Sequence, residues 1–181
     1  MTIELDDNAL VQGCLSGDEH AFEILVVRYQ GPIYNAVLRM VRDRDDASDL
    51  TQNAFLKAYQ QLSRFDPQYK FFSWLYRIAI NESLNFVKRS ARQEPLDGDG
   101  VAGTADPERS MVSAEIGRHV QDALMKVSPD YRAVLVLRHF HDCSYEDMAS
   151  ILGIPEKTVK SRLFSARRQL KELLAAKGML P

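Results

Sequence analysis

Ser144-Tyr-Glu-Asp-Met-Ala-Ser-Ile-Leu-Gly153, followed by Ile154-Pro155 and then Glu156-Lys-Thr-Val-Lys-Ser-Arg-Leu-Phe-Ser-Ala-Arg167, is the stretch from which the fold is read. Ser144 can cap a helix, with Asp147 as its partner three residues on. Tyr145, Met148, Ala149 and Leu152 form one face of that short helix, and Gly153 ends it. A second helix opens at Glu156 and buries Val159, Leu163, Ala166 and Leu170, spaced four, three and four. A small residue at Ala149, a glycine for the turn and an apolar residue at Val159 are what two steeply crossed helices require. The pattern predicts a helix-turn-helix. Opposite the buried stripe lie Lys157, Ser161, Phe164 and Arg168, flanked by Thr158, Lys160 and Ser165. Phe164 has no core role there and suits a thymine methyl or a sugar, while the cations suit phosphates or guanine edges.

Upstream, Glu108 to Val127 and Pro129 to Phe140 read as two more helices, with Ser128-Pro129 fitting an N-cap and a first-position proline. Before them the composition changes. Glu94 to Pro107 carries three glycines, two prolines and three aspartates with no apolar period, which predicts a linker. The organisation expected is therefore a domain over 1–93, an acidic Gly/Pro linker over 94–109 and a helix-turn-helix domain over 110–181. Helical spacing recurs on both sides and alternating strand patterns are absent. The expected fold class is all-α, two small helical domains joined by a flexible linker.

In the first half, Leu5, Ala9, Leu10 and Cys14 suit a short helix that stops at Ser16-Gly17, after which Asp18 can cap the next. That second helix runs through Phe22, Leu25, Val26, Tyr29, Ile33, Val37, Met40 and Val41, and Gly31-Pro32 is expected to kink or split it. A third runs from about Asp45 to Leu62, with Leu50, Ala54 and Ala58 on its core side and Asp45, Asp49, Gln52 and Leu56 on the opposite side. The fourth, about Phe71 to Arg92, separates an apolar face (Phe71, Leu75, Ile78, Ala79, Phe86) from a stripe of Trp74, Arg77, Asn81, Asn85, Lys88 and Arg92. Cations on that stripe can neutralise phosphates, amides can pair with base edges and an aromatic can stack on an unpaired base.

The 181 residues carry 23 Lys+Arg and 25 Asp+Glu, a formal charge of −2, which excludes a basic tail protein and an acidic disordered chain. Charge is segregated, however. Between Glu4 and Gln30 the only base is Arg28, whereas Glu156 to Lys177 is dominated by Lys and Arg, so a polyanion is expected at the C-terminal end. No run approaches the ~20 apolar residues a membrane span needs, and the start does not read as a signal segment, so a cytoplasmic protein without membrane insertion is expected. Cys14 and Cys143 are too few for a disulfide scaffold. His139, His141 and Cys143 at alternate positions, with His119, offer a rival metal site, but no carboxylate cluster accompanies them and no paired arrangement activates a nucleophile. The expectation is a non-enzyme with no metal or cofactor.

Four segments in order carry a family resemblance: Asp49-Leu-Thr-Gln-Asn-Ala-Phe-Leu-Lys-Ala-Tyr59, Phe72-Ser-Trp-Leu-Tyr-Arg-Ile-Ala-Ile-Asn81, Leu137-Arg-His-Phe-His-Asp-Cys-Ser-Tyr-Glu-Asp-Met-Ala149 and Lys157-Thr-Val-Lys-Ser-Arg-Leu-Phe-Ser-Ala-Arg167. Together they resemble an extracytoplasmic-function sigma factor of bacterial RNA polymerase over nearly the whole chain. The resemblance implies that core polymerase is a partner, that the first domain reads and opens the −10 element, and that the second reads the −35 element as duplex. It further implies that Asn81 is a promoter-reading residue and that Phe65, in the break before the fourth helix, matches the aromatic that captures a base flipped from the non-template strand. By the same likeness the third helix docks on the polymerase, favouring Asp49 and Gln52. Asn53, where relatives often carry Glu, and Ser165, where they often carry Arg, depart from the pattern. Lys160, Ser161, Phe164 and Ser165 match −35-reading positions. Family habit adds an anti-sigma partner, and Asp97, Asp99 and Asp106 in the linker are expected to mimic a nucleic-acid backbone. The competing reading is a dimeric helix-turn-helix regulator that is not a polymerase subunit, which leaves Phe65, Trp74, Asn81 and the Asp49/Gln52 face without a purpose.

Overall fold

A computed structural model describes residues 6–93 and 111–178, and every described element is helical. The first half holds α1 (Asp7–Leu15), α2 (Glu19–Val41), α3 (Arg44–Gln61), a single 3-10 turn at Leu62–Arg64, and α4 (Phe71–Gln93). The second holds α5 (Met111–Lys126), α6 (Pro129–Phe140), α7 (Tyr145–Leu152) and α8 (Glu156–Ala175). Leu5, Arg92 as a side chain, and the linker with Asp97, Asp99 and Asp106 lie outside the described residues.

Helix starts follow from carboxylates and hydroxyls that satisfy free backbone N–H groups. Asp18 accepts from the His20 N–H at 3.1 Å, and Asp43 accepts from Asp45 and Asp46 at 2.9 and 3.0 Å. Ser144 and Asp147 form the reciprocal capping box expected of them, and Gly153 ends α7 with φ of +64°. Ser128 stands at the N-cap of α6 with Pro129 behind it, yet its hydroxyl makes no capping bond.

Two expectations are corrected. Gly31-Pro32 does not split the second helix: α2 is one element of 23 residues with Pro32 inside. Proline removes one donor and crowds the preceding turn, but Leu25 on one side of it and Ile33, Ala36, Val37 and Met40 on the other are all buried, so packing holds both turns in line. Second, the apolar side of α4 is wider than the expected face. Phe71, Leu75 and Ala79 are buried as expected, but Tyr76 and Ile80 are fully buried too, with Ser73, Ser83 and Leu84, whereas Ile78 and Phe86 are only half-buried. Spacings of three and four from Ser73 through Tyr76 and Ile80 mark a second buried stripe.

That second stripe exists because the two halves pack together. The α4 helix lies against α7 and α6, and α2 against α6 and α5. Arg132 of α6 is the most buried charge at this junction. Its guanidinium donates to the carbonyls of Leu124 (2.9 Å), Met125 (2.9 Å) and Val127 (3.2 Å) at the end of α5, and to that of Met40 at the end of α2. It thereby satisfies the free carbonyls of two helix C-termini, where a cation also complements the helix dipole. Burial lowers its pKa to about 10, so it remains charged at neutral pH.

Candidate nucleic-acid interface

The recognition-type helix α8 buries Val159, Leu163 and Ala166 and leaves the opposite side open. Lys157, Lys160, Ser161, Phe164 and Arg168 are exposed there, with Thr158 and Ser165 half-buried at the edge. Phe164 is 70% exposed, the expected placement of an apolar ring among cations. Local bonds set the backdrop: Ser161 donates to the Thr158 carbonyl at 3.0 Å, and Lys160 pairs with Glu156 at 3.2 Å while lying over the Tyr145 ring. Both partners of the Lys160 ion pair are solvated, so the pair contributes little and leaves the ammonium available to a phosphate.

On α4 the stripe is present as a surface. Arg77, Asn81, Asn85 and Lys88 are exposed and Trp74 is half-buried. A polar cleft of about 430 Å³ beside it is lined by Lys57, Glu82, Asn85, Lys88 and Arg89. Lys57 and Arg89 were missed by sequence reasoning. Arg89 follows Asn85 by four and is legible from helical spacing, whereas Lys57 arrives from α3, held by Glu82 at 2.7 Å, and has no sequence signal.

Phe65 is a correction. An aromatic that stacks on an extruded base must be open, yet Phe65 is 7% exposed. It lies edge-on to Phe71 with centroids 5.7 Å apart and tilted against Trp74 at 5.4 Å. The apolar cluster of Leu62, Phe71 and Trp74 captures the ring, and what faces solvent in that loop is Tyr69. In this conformation Phe65 is a floor beneath Trp74.

The outer side of α3 carries Asp45, Asp49, Gln52, Asn53 and Leu56, all exposed, Leu56 to 53%. Next to it an apolar groove of about 550 Å³ runs between α2 and α3, from Val26 and Tyr34 to Gln52 and Phe55. An exposed leucine and an apolar groove bordered by carboxylates and amides have the chemistry of a protein-docking surface.

The three residues of the rival metal site diverge. His141 Nδ1 is 2.9 Å from the Tyr76 hydroxyl, His139 Nε2 accepts from Arg167 Nε at 3.1 Å, and Cys143 is buried. Burial, helped by Asp147 and Asp142, pushes the Cys143 thiol up to about 12. Among the described residues no group of three or more His, Cys, Asp or Glu is placed to hold a metal ion, and no helix is long and apolar enough to cross a membrane.

The chain thus presents two exposed surfaces of cations, polar side chains and aromatic rings, one on α4 and one on the second helix of the helix-turn-helix. Comparison with known proteins gives the family. The family model "Sigma-70 region 2" matches residues 25–93 and "Sigma-70, region 4" matches residues 118–170. The RNA polymerase sigma-H factor of Pseudomonas aeruginosa is 37% identical over 187 residues, 96% of each chain. The ECF RNA polymerase sigma-E factor of Haemophilus influenzae is 34% identical, covering 94% of this chain and 96% of that one. Among solved structures, CnrH in complex with the cytosolic domain of CnrY superposes with a TM-score of 0.74 at 28% identity, covering 94% of this chain and 97% of that one. The sigma factor RpoE of Bartonella quintana, in complex with the anti-sigma factor NepR, superposes at 0.73 with 26% identity, covering 85% and 96%. The chain belongs to the extracytoplasmic-function sigma factors of the sigma-70 family.

Proposed function

We propose that this chain directs promoter-specific transcription initiation as a dissociable subunit of bacterial RNA polymerase, its 1–93 part docking and reading the −10 element and its 110–181 part reading the −35 duplex. The observation that carries this reading is that α3, α4 and α8 each present an exposed surface of distinct chemistry: carboxylate, amide and leucine on α3, amides and cations on α4, cations around a bare phenylalanine on α8. A duplex-binding dimeric regulator needs only the last.

In this mechanism Asp45, Asp49, Gln52, Asn53 and Leu56 hold the polymerase. Phe164 meets a thymine methyl or sugar in the major groove, while Lys157, Lys160 and Arg168 neutralise phosphates and Thr158, Ser161 and Ser165 bond base edges or backbone at the rim. On the melted −10 strand, Asn81 and Asn85 bond base edges and Arg77, Lys88 and Arg92 neutralise phosphates. Trp74, supported from beneath by Phe65, supplies the stacking surface. Extruding a base costs a few kcal/mol, which stacking of about 1–3 kcal/mol per base plus cation–phosphate contacts offsets. An anti-sigma partner follows from the same reading, since two solved relatives are complexes with such inhibitors or with a partner's cytosolic domain.

The test is in vitro transcription with purified chain, bacterial core polymerase and a random promoter library, sequencing the initiated transcripts. Starts downstream of one shared two-part motif are expected. Absence of specific starts with active core and a working control sigma factor contradicts the proposal.

A further inference from the structure

His139, His141 and Cys143 do not converge on a metal, and they have separate duties. The end of α6 is closed by the Cys143 N–H on the Leu137 carbonyl at 3.1 Å and by Arg138 on the Cys143 carbonyl at 2.9 Å. Alternate residues there leave in different directions, Cys143 into the core, His141 toward Tyr76 of α4 and His139 toward α8. The first two pack the chain. His139 is exposed, and so is the residue it reaches.

That residue is Arg167. It stands three positions after Phe164 and seven after Lys160, so at about 100° per residue the three form one row on the outward side of α8. Both cations of the row are steadied from outside α8. Lys160 lies 5.3 Å from the centre of the Tyr145 ring, and Arg167 Nε donates to His139 Nε2 at 3.1 Å. A guanidinium carries five donors in a planar fork. His139 takes the Nε–H, while the two Nη groups have no partner among the described residues. The outer side of the fork is therefore oriented and open, and its parallel N–H bonds match two phosphate oxygens.

The acceptor is uncharged. Partial burial of the His139 ring first, and then the Arg167 and Arg138 guanidiniums, hold its pKa below the ordinary histidine value, with Asp142 opposing. A neutral ring whose Nε2 accepts carries its proton on Nδ1. A carboxylate in this place would hold the arginine and cancel its charge, whereas a neutral imidazole orients the charge and leaves it for a ligand.

We infer that Arg167 grips a backbone phosphate of the duplex met by α8, beside Phe164, and that His139 is its positioning residue. The inference rests on the −35 reading above and adds to it one contact and that contact's support.

The test uses the full chain assembled with core polymerase, its Kd for a promoter recovered from the library being measured between about 50 and 200 mM salt. Each variant replaces an exposed side chain, so the fold is kept. Arg167→Ala is expected to weaken binding about fivefold, to lower the slope of log K against log salt by about 1, and to leave base preference unchanged, because a phosphate carries no sequence. Arg167→Lys keeps the charge without the fork, and is expected to keep the slope with about threefold weaker binding. His139→Ala is expected to weaken binding about threefold, His139→Gln, whose amide oxygen can accept in place of Nε2, to stay within about 1.5-fold of wild type, and His139→Glu to lower the slope as Arg167→Ala does. In an Arg167→Ala background none of the His139 changes has a further effect. Arg167→Ala with wild-type affinity and slope, or with altered base preference, overturns the phosphate contact. His139→Ala equal to wild type, or His139→Gln as weak as His139→Ala, overturns the positioning role. If the wild-type chain forms no promoter-specific complex, the sigma reading fails and the contact falls with it.

Discussion

The helices α4 and α8 are both proposed to meet DNA, yet they are built differently. The α8 helix buries one stripe, Val159, Leu163 and Ala166, and leaves Lys157, Lys160, Ser161, Phe164 and Arg168 exposed on the opposite side. The α4 helix is gripped on two sides, by its own bundle through Phe71, Leu75 and Ala79 and by the second half through Ser73 and Tyr76, leaving one stripe for a ligand. The difference teaches that a helix at the rim of a domain advertises its function in its amphipathic pattern. A helix between domains spends a second face on packing, and its free surface depends on whether the domains stay together.

The largest expected effect tests the junction itself. Arg132→Ala leaves carbonyls of two helix ends without their charged donor and is expected to destabilise the chain by about 3–5 kcal/mol, read as a lowered midpoint in urea unfolding. A loss under about 1 kcal/mol contradicts the role given to Arg132. Two phenylalanines then sharpen the contrast. Phe65→Ala removes a buried ring and is expected to cost about 3 kcal/mol or more in stability, so it is a poor probe of base capture. Phe164→Ala is expected to change stability by less than about 0.5 kcal/mol while weakening promoter binding by about tenfold. Equal stability losses for the two would erase the distinction between the helices.

A smaller effect follows from His141. Burial first, and then the Arg39 guanidinium, lowers its pKa to about 4, with Asp142 opposing; Tyr76 faces it from α4 and Arg39 from α2. Once the chain unfolds, the ring returns toward its ordinary 6.5, so below that pH the unfolded chain binds more protons than the folded one. Folding stability from this ring is therefore full above about pH 6.5 and is lost as pH falls toward 4. A loss on the order of 1–2 kcal/mol at pH 5 is expected, seen as a urea midpoint that falls further with pH in the wild type than in His141→Gln. Equal shifts in the two chains contradict it.

Much of this was legible in the sequence, for reasons specific to each element. The capping box at Ser144 and Asp147, the glycine at 153 and the Val159–Leu163–Ala166 stripe are local signals, and they put α7 and α8 where they were expected. The exposure of Phe164 and of the α3 face followed from the same periodicity. What the chain did not disclose locally was tertiary. Tyr76 and Ile80 are a second apolar stripe whose partner lies some sixty residues away for Tyr76 at His141, Pro32 is tolerated because both flanking turns are buried, and Phe65 is enclosed by rings that only the folded loop brings together. The burial of Arg132 has no signal in the sequence, because its acceptors are backbone carbonyls, which carry no residue identity.

The most direct test of two helices reading two elements is to sequence transcripts from a randomised promoter library with Asn81→Ala and Phe164→Ala chains. Asn81→Ala is expected to relax base preference only in the start-proximal element and Phe164→Ala only in the upstream element, each by about 1–3 kcal/mol of discrimination. Unchanged preference in both libraries, or a Phe164→Ala effect confined to the start-proximal element, would contradict the account.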